Sequence, residues 1–377
     1  MSFDLAFEGG GAKGAVFIGA IAELEHRGHT PRRLVGTSAG ALVAAMIAAG
    51  YSARELQDAL GERLDDGTSR MANFLDVPDD FTEDELDQSA LQKLFDKVDL
   101  PLVSDSTERR IERALTRGFL GIRAFRMLFS LLERGGVFAG DGLHRWMCER
   151  LDARHPGLSR AGFAEMAKRT GRDLSITVSD TTGEEMLVLN ARTAPAFPVA
   201  WAVRASMSMP LVFQEVIWDR AWGTYRGRDV TGHVLIDGGV LSNFPFHLLT
   251  SDLAEIREIM GPHDPAGAPN LGLLIDERMP VAGQPPIGAS ALDRVFELPA
   301  LRRMTRLMET MLNAHDRAVI QASMANGEIC RLPAQGYGSL EFGMTEARRA
   351  ALIEAGRAAT AAYLDARFGP RLGPSAG

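Results

Sequence analysis

Apolar and polar positions in the first fifty residues alternate in blocks that predict two strands and two helices. An apolar run at residues 3–7 predicts the first strand, and residues 33–36 predict the second. Between them, residues 12–27 repeat apolar side chains at helical spacing until Gly28 ends the segment. Residues 39–49 form an uncharged second helix. This order is typical of parallel strands joined by a right-handed crossover.

Strand patterning resumes in the second half of the chain. Leu174, Ile176 and Val178 alternate with polar residues, and a Thr182-Gly183 turn leads into another apolar run, which predicts a hairpin. Further along the chain we predict a helix at 199–210, strands at 233–239 and 270–277, and helices at 290–325 and 344–367.

These elements predict a fold of the α/β class with a central, mainly parallel sheet. We expect one domain over residues 1–250, in which the charged, helix-like residues 71–150 form a helical insertion that covers the site. Residues 251–368 add a strand and helices to the same domain. The last residues, 369–377, are expected to be disordered.

Composition narrows the classes of partner. With 377 residues and 46% hydrophobic content, the chain can bury a large core. Its net charge of −8 argues against nucleic-acid binding, which needs a basic surface. The two cysteines, Cys148 and Cys330, lie far apart without histidines at metal spacing, so we predict neither a disulfide framework nor a metal site.

The same composition bears on location. The first predicted strand leaves no room for a signal peptide ahead of it, and the apolar residues 39–49 span about half of the roughly 20 residues that a membrane crossing needs. We therefore expect a cytoplasmic protein. Residues 108–134 are basic and carry interleaved aromatic residues, which is compatible either with peripheral contact to anionic lipid or with a solvated face over a packed core.

A serine lies at the junction of the second strand and the second helix. Gly36-Thr37-Ser38-Ala39-Gly40 forms a G-x-S-x-G sequence between them. In this setting the pattern is typical of a nucleophile elbow, where a strained turn presents the serine hydroxyl and the glycines admit nearby backbone. The alternative is an ordinary tight turn. We predict Ser38 as a nucleophile.

A glycine-rich loop follows the first strand and consists of Gly9, Gly10, Gly11, Ala12, Lys13 and Gly14. Loops after adjacent parallel strands meet at the same sheet edge, so this loop should face Ser38. Its amides would then suit the oxyanion of an acyl-transfer intermediate. A dinucleotide site is the competing interpretation, but the second strand ends without the acidic residue that such a site expects. A Walker A loop fails because glycine follows Lys13.

The proton acceptor for Ser38 is less obvious from the residues. His233 and His247 stay candidates because they flank Asp237, while the other histidines lie in contexts typical of surface or core. Asp237 ends a predicted strand and precedes Gly238 and Gly239. A carboxylate can accept the serine proton if burial raises its pKa. An ordinary Asp-Gly turn is an equally good interpretation of these residues alone.

Taken in order, the glycine loop, the G-x-S-x-G elbow and Asp237-Gly238-Gly239 resemble the patatin-like phospholipases, and residues 135–147 and 202–213 are similar to two further stretches of bacterial members. The resemblance covers about residues 3–250. Lys13 stands where the plant enzymes have arginine, and Glu8 stands where many members have a neutral residue or aspartate.

The resemblance implies a three-layer patatin-like sandwich and a lipid acyl hydrolase of the phospholipase A or lysophospholipase type. Ser38 would be the nucleophile and Asp237 the base, with no histidine, metal or cofactor, and the loop amides would form the oxyanion hole. The implied substrate is a phospholipid or lysophospholipid, and the sequence does not identify an activating partner. Two alternatives stay open: an acyltransferase or thioesterase using the same two residues, and a non-catalytic lipid- or protein-binding module.

Overall fold

The computed structural model describes residues 1–79, 81–82, 85, 89, 123–262, 267–283 and 317–369. Its strands are β1 (Ser2–Phe7), β2 (Thr30–Gly36), β3 (Gly136–Phe138), β4 (Asp173–Asp180), β5 (Glu185–Leu189), β6 (Leu211–Phe213), β7 (Val216–Ile217), β8 (Val234–Asp237), β9 (Asn270–Asp276) and β10 (Ile329–Pro333). Its α-helices span Val16–His26, Ala39–Ala48, Ala53–Gly61, Arg123–Arg134, Asp141–Arg154, Phe163–Thr170, Val199–Ser206, His247–Thr250, Ala254–Met260, Arg317–Ala325 and Glu346–Phe368.

The central sheet is mainly parallel, as predicted. Strands β10, β9, β1, β2 and β4 lie in that order and run in the same direction. Beyond them, β8 is antiparallel to β4 and β7 is antiparallel to β8, while β5 forms the predicted hairpin with β4. A separate pair, β3 and β6, is parallel.

Buried side chains cover both faces of the sheet and make it the middle layer of a sandwich. On β1, Leu5 and Phe7 pack into the larger apolar cluster, while Ala6 belongs to a second cluster that includes Phe244 and Phe246. Because successive side chains of a strand point to opposite faces, each face carries its own core. The fold is thus the expected α/β sandwich.

The helix after β1 packs closely against the long C-terminal helix. A Cβ added to Gly19 would lie 1.8 Å from the carbonyl oxygen of Ile353, and one added to Gly356 would lie 2.1 Å from that of Val16. The two backbones therefore touch at a pair of reciprocal glycines. Through this contact a helix from beyond residue 250 fixes the helix that follows the glycine loop.

One sequence prediction differs from the structure at its boundary, and several others lie partly outside the described residues. The helix expected from residue 12 begins at Val16, because Gly11–Ala15 form a 3-10 turn first. Of the insertion predicted at 71–150, residues 90–122 lie outside the described residues, and so do most of the predicted helix at 290–325 and the tail from 370 onward. The domain boundaries remain predictions.

Within the described parts of the chain, no helix combines the length and apolar character needed to cross a bilayer.

The reciprocal glycines give a stability prediction. Gly19→Ala or Gly356→Ala should lower the free energy of unfolding by about 1–3 kcal/mol, because each new methyl group collides with backbone that cannot rotate away. Gly343→Ala is the matched control, since among the described residues a Cβ there would contact Ala72 Cβ alone, at 4.0 Å. Chemical denaturation provides the measurement. Wild-type stability of both helix variants would contradict the close packing.

Candidate active site

Ser38 lies in a strained turn between β2 and the helix Ala39–Ala48. Its backbone has φ 53° and ψ −122°, a region that a non-glycine residue rarely adopts. Strain of this kind costs about 1–3 kcal/mol and persists only where the surroundings impose it. Two close approaches impose it here: a Cβ on Gly36 would lie 2.5 Å from the Gly40 backbone, and one on Gly40 would lie 2.5 Å from the Phe7 carbonyl oxygen. The turn therefore has the strained, tightly packed geometry that a nucleophile elbow requires.

The backbone of the elbow is held by hydrogen bonds from neighbouring elements. The N–H of Ser38 donates to Ser206 Oγ at 2.8 Å, and Ser206 Oγ donates to the Thr177 carbonyl at 2.7 Å. The N–H of Gly40 donates to the carbonyl of Thr37 at 2.8 Å. Ser38 as a whole is 5% exposed, so little of the residue contacts solvent.

Asp237 ends β8 at the same level of the sheet. It pairs with Val178 of β4, two residues beyond Ile176, which pairs with Gly36. Because Ser38 follows Gly36 by two residues, both chains leave the sheet at the same level of β4. Gly238 permits this turn, since a Cβ there would lie 2.4 Å from the Thr177 carbonyl oxygen.

Burial makes the carboxyl group of Asp237 a far better base than an ordinary aspartate. Burial raises its pKa to about 7, although the N–H of Gly239 and the hydroxyl of Ser38 lower it. Asp237 Oδ1 accepts a hydrogen bond from Gly239 N–H at 2.8 Å. Within the described residues Oδ2 is buried without a hydrogen-bond partner. The hydroxyl of Ser38 is thus close enough to affect the carboxyl without making a well-formed hydrogen bond to it.

The glycine loop faces Ser38, as the sequence predicted. A Cβ on Gly9 would lie 3.2 Å from Ser38 Cβ. Three of the loop amides are already occupied: those of Gly9, Ala12 and Lys13 donate to Asn243, Ser339 and Gly10 carbonyls respectively, at 2.9, 2.7 and 3.2 Å.

Two amides at the tip of the loop are different. Within the described residues, the N–H groups of Gly10 and Gly11 have no hydrogen-bond acceptor. Gly11 has φ +56°, and a Cβ there would lie 2.1 Å from the Ser339 carbonyl oxygen, so only glycine fits. Gly14 lets the loop pack closely against the start of the helix Ala39–Ala48, because a Cβ on Gly14 would lie 2.8 Å from Ala39 Cβ. These close contacts restrict the conformation of the loop on either side of the two amides.

Two polar residues that the sequence analysis did not assign to the site hold the loop in place. The Glu8 carboxylate accepts hydrogen bonds from Ile275 N–H at 2.6 Å and from Asn243 Nδ2 at 3.1 Å. Asn243 also donates to the carbonyl of Gly9 at 3.3 Å. Asn243 follows Asp237 by six residues, so one loop carries the candidate base and also anchors the glycine loop.

Lys13 connects the glycine loop to the residues that follow β9. Its side chain is buried, and Nζ forms an ion pair with Glu277 just after β9. This contact ties the 3-10 turn to the neighbouring strand. The basic side chain at this position therefore helps to hold the conformation of the loop.

The structure does not place the two candidate histidines in contact with Asp237. His233 Nδ1 lies 2.7 Å from Asp180 Oδ2. His247 begins the short helix His247–Thr250. Neither histidine is among the groups that shift the pKa of Asp237. Within the described residues, no group of three or more His, Cys, Asp or Glu side chains could hold a metal ion.

Comparison with known proteins identifies a family for the chain. A family model for patatin-like phospholipase matches residues 5–250. The Bacillus subtilis (strain 168) protein YqhO, an uncharacterized protein, is 28% identical over 376 residues, which cover 97% of this chain and 98% of YqhO.

Solved structures also share similarity with the chain. VipD from Legionella pneumophila has a TM-score of 0.45 and 17% identity, with 97% of this chain and 67% of VipD covered. ExoU from Pseudomonas aeruginosa, in its complex with SpcU, has a TM-score of 0.40 and 19% identity. That match covers 97% of this chain and 51% of the ExoU chain, so the protein spans about half the length of ExoU.

The match to the family model extends over well more than half of the chain, and it includes the glycine loop, Ser38 and Asp237. The chain belongs to the patatin-like phospholipase family.

Proposed function

We propose that the protein is a lipid acyl hydrolase of the phospholipase A or lysophospholipase type, in which Ser38 and Asp237 form a catalytic dyad. The observation that carries the proposal is a serine in a strained elbow beside a buried carboxyl group whose pKa is raised to about 7. A base with a pKa near neutrality combines the ionised form with useful proton affinity.

In the first step, Ser38 Oγ attacks the carbonyl carbon of a fatty acyl ester while Asp237 takes the hydroxyl proton. The tetrahedral oxyanion accepts hydrogen bonds from the N–H groups of Gly10 and Gly11. Ala39 N–H is a third candidate donor, because the residue after the nucleophile commonly serves in this role in elbow enzymes. Asp237 then returns the proton to the leaving alcohol, which leaves Ser38 acylated.

In the second step, water replaces the alcohol. Asp237 takes a proton from the water as it attacks the acyl carbonyl, and the same amides stabilise the second oxyanion. Collapse of this intermediate releases a fatty acid and returns the proton to Ser38.

Membership of the family supports a lipid substrate, and one surface feature supports contact with a membrane. The helix Arg123–Arg134 exposes Leu128 and Leu132, which are 49% and 54% accessible and lie one helical turn apart. Of the basic segment 108–134 noted in the sequence, residues 108–122 lie outside the described residues. The exposed leucines are suited to shallow insertion between lipid headgroups.

Removal of either dyad residue gives the first functional prediction. Ser38→Ala should lose on the order of 10⁴-fold or more of fatty-acid release from phospholipid vesicles, and Asp237→Asn about 10²- to 10⁴-fold. Mass spectrometry of the lipids measures release, and a fluorophosphonate probe should label Ser38 in the wild type. Asp229→Asn, in an exposed turn, is the matched acidic control and should retain wild-type activity.

Other outcomes of that assay would replace the proposal. Acyl transfer or hydrolysis of acyl-CoA without phospholipid cleavage would indicate an acyltransferase or thioesterase. Vesicle binding without release of fatty acid would indicate a binding module. Full turnover in either dyad variant would rule out the dyad.

The raised pKa of Asp237 predicts the pH dependence of activity. Because the base must be ionised, kcat/KM should rise with pH through a midpoint near 7. A histidine would titrate in a similar range, so His233→Gln and His247→Gln are the controls. The midpoint should stay unchanged in both. A midpoint near the ordinary value of aspartate, or one that moves with either histidine, would contradict the assignment.

The same shift predicts how Asp237 affects stability. In the unfolded chain this carboxyl ionises near pH 3.8, whereas in the folded protein it stays protonated up to about pH 7. The folded state therefore binds the extra proton between these values, and stability falls as pH rises through this window, with a full penalty on the order of 4 kcal/mol above it.

Asparagine cannot ionise, so Asp237→Asn should stabilise the protein relative to the wild type more at pH 8.5 than at pH 5. Thermal or chemical unfolding of both proteins at both pH values measures the difference. An equal effect at the two pH values would show that Asp237 does not titrate in this window.

A further inference from the structure

The strained nucleophile is held by a residue outside the G-x-S-x-G sequence. Ser206 ends the helix Val199–Ser206 and is fully buried. Its Oγ accepts a hydrogen bond from Ser38 N–H at 2.8 Å and lies 2.7 Å from the Thr177 carbonyl oxygen. The nucleophile is therefore connected to β4 through one hydroxyl group.

The chemistry of its two partners fixes the direction of both hydrogen bonds. A backbone N–H only donates and a carbonyl oxygen only accepts. The Ser206 hydroxyl must therefore give its proton to Thr177 and present a lone pair to Ser38. No rotation of this hydroxyl satisfies both partners in another way, so Ser206 specifies the direction of the Ser38 N–H.

Thr177 also connects to the loop that carries the candidate base. Its hydroxyl lies 2.6 Å from the Thr37 hydroxyl, which donates to the Ser242 carbonyl at 3.2 Å. Ser242 N–H in turn donates to the carbonyl of Gly238 at 2.9 Å. Thr177 of β4 is thus connected by hydrogen bonds both to the turn that carries Ser38 and to the loop that carries Asp237.

We propose that Ser206 is a positioning residue for the nucleophile: it holds the Ser38 backbone in its strained conformation and so directs Ser38 Oγ toward Asp237. The hydrogen bonds of Ser206 Oγ go to backbone groups of Ser38 and Thr177, so the proposed role acts through the backbone of the nucleophile. Without its hydroxyl, the buried N–H of Ser38 loses its acceptor, so the Ser38 backbone shifts within the turn and displaces Oγ from its position by about 1 Å. This inference rests on the proposed function.

The test compares Ser206→Ala and Ser206→Cys with the wild type. Cysteine fills the side-chain position with a slightly larger atom but is a weak hydrogen-bond acceptor, so it tests hydrogen bonding without leaving a cavity. Both variants should lose about 10- to 100-fold in kcat and in the rate of fluorophosphonate labelling at Ser38, because a nucleophile displaced by about 1 Å loses rate on this scale. KM and the pH midpoint should not change.

The matched control is Ser175→Ala. Ser175 is also fully buried on β4, and its hydroxyl contacts Asn190 Nδ2 at 3.1 Å and Met260, away from the site. This variant should lower the melting temperature while keeping the wild-type labelling rate. If Ser206→Ala does not fold, the cysteine variant alone decides the question.

The outcomes separate this inference from the proposed function. If Ser206→Ala or Ser206→Cys labels at the wild-type rate while Ser38→Ala is not labelled, the positioning role is wrong and the dyad stands. If wild-type Ser38 is labelled but releases no fatty acid, the substrate is wrong and the positioning role is still measured by labelling. If wild-type Ser38 is not labelled, both are wrong.

Discussion

The site depends on the forced backbone conformation of Ser38. A left-handed φ at a serine is unfavourable, and it is stable here because β1, the helix Ala39–Ala48 and Ser206 leave the turn no relaxed alternative. Gly36 and Gly40 allow the close approaches that enforce the turn. The packing of the surrounding core thus offsets the unfavourable backbone conformation of Ser38.

The buried carboxyl group of Asp237 is a second energetically unfavourable feature of the candidate site. An aspartate buried beside backbone and a hydroxyl is poorly solvated when charged, which is why its pKa lies far above the ordinary value. The ionised form of this residue is costly to the fold at neutral pH and above. In the proposed dyad, strain at residue 38 and burial at residue 237 are a trade of stability for activity.

Local sequence patterns predicted the first half of the site well. The strand-helix-strand pattern of residues 3–49 specified β1, β2 and the loop after each, and the spacing of glycines around Ser38 indicated the elbow. Such features are local, so the residues that create them are near one another in the chain. The family resemblance then favoured Asp237 over the histidines, which the residues alone had left open.

The remaining features depend on contacts between distant segments. Nothing in the pattern of residues 233–239 shows that β8 is antiparallel to β4, and that direction sets the level at which Asp237 leaves the sheet. Ser206 lies in the family-like stretch 202–213, and Glu8 lies directly before the glycine loop, but the sequence does not show which distant groups either side chain contacts. Asn243 follows Asp237 on the same short loop, and its contact with the glycine loop is likewise visible only in the fold.

The most direct measurement is a crystal structure of the protein after reaction with a fluorophosphonate, because the trapped group resembles the tetrahedral intermediate. We predict phosphorus bonded to Ser38 Oγ, its phosphoryl oxygen accepting hydrogen bonds from the amides of Gly10 and Gly11, and the Asp237 carboxyl within hydrogen-bonding distance of Ser38 Oγ. A phosphoryl oxygen turned away from the glycine loop, or an Asp237 carboxyl remote from the adduct, would contradict the proposed dyad and oxyanion hole.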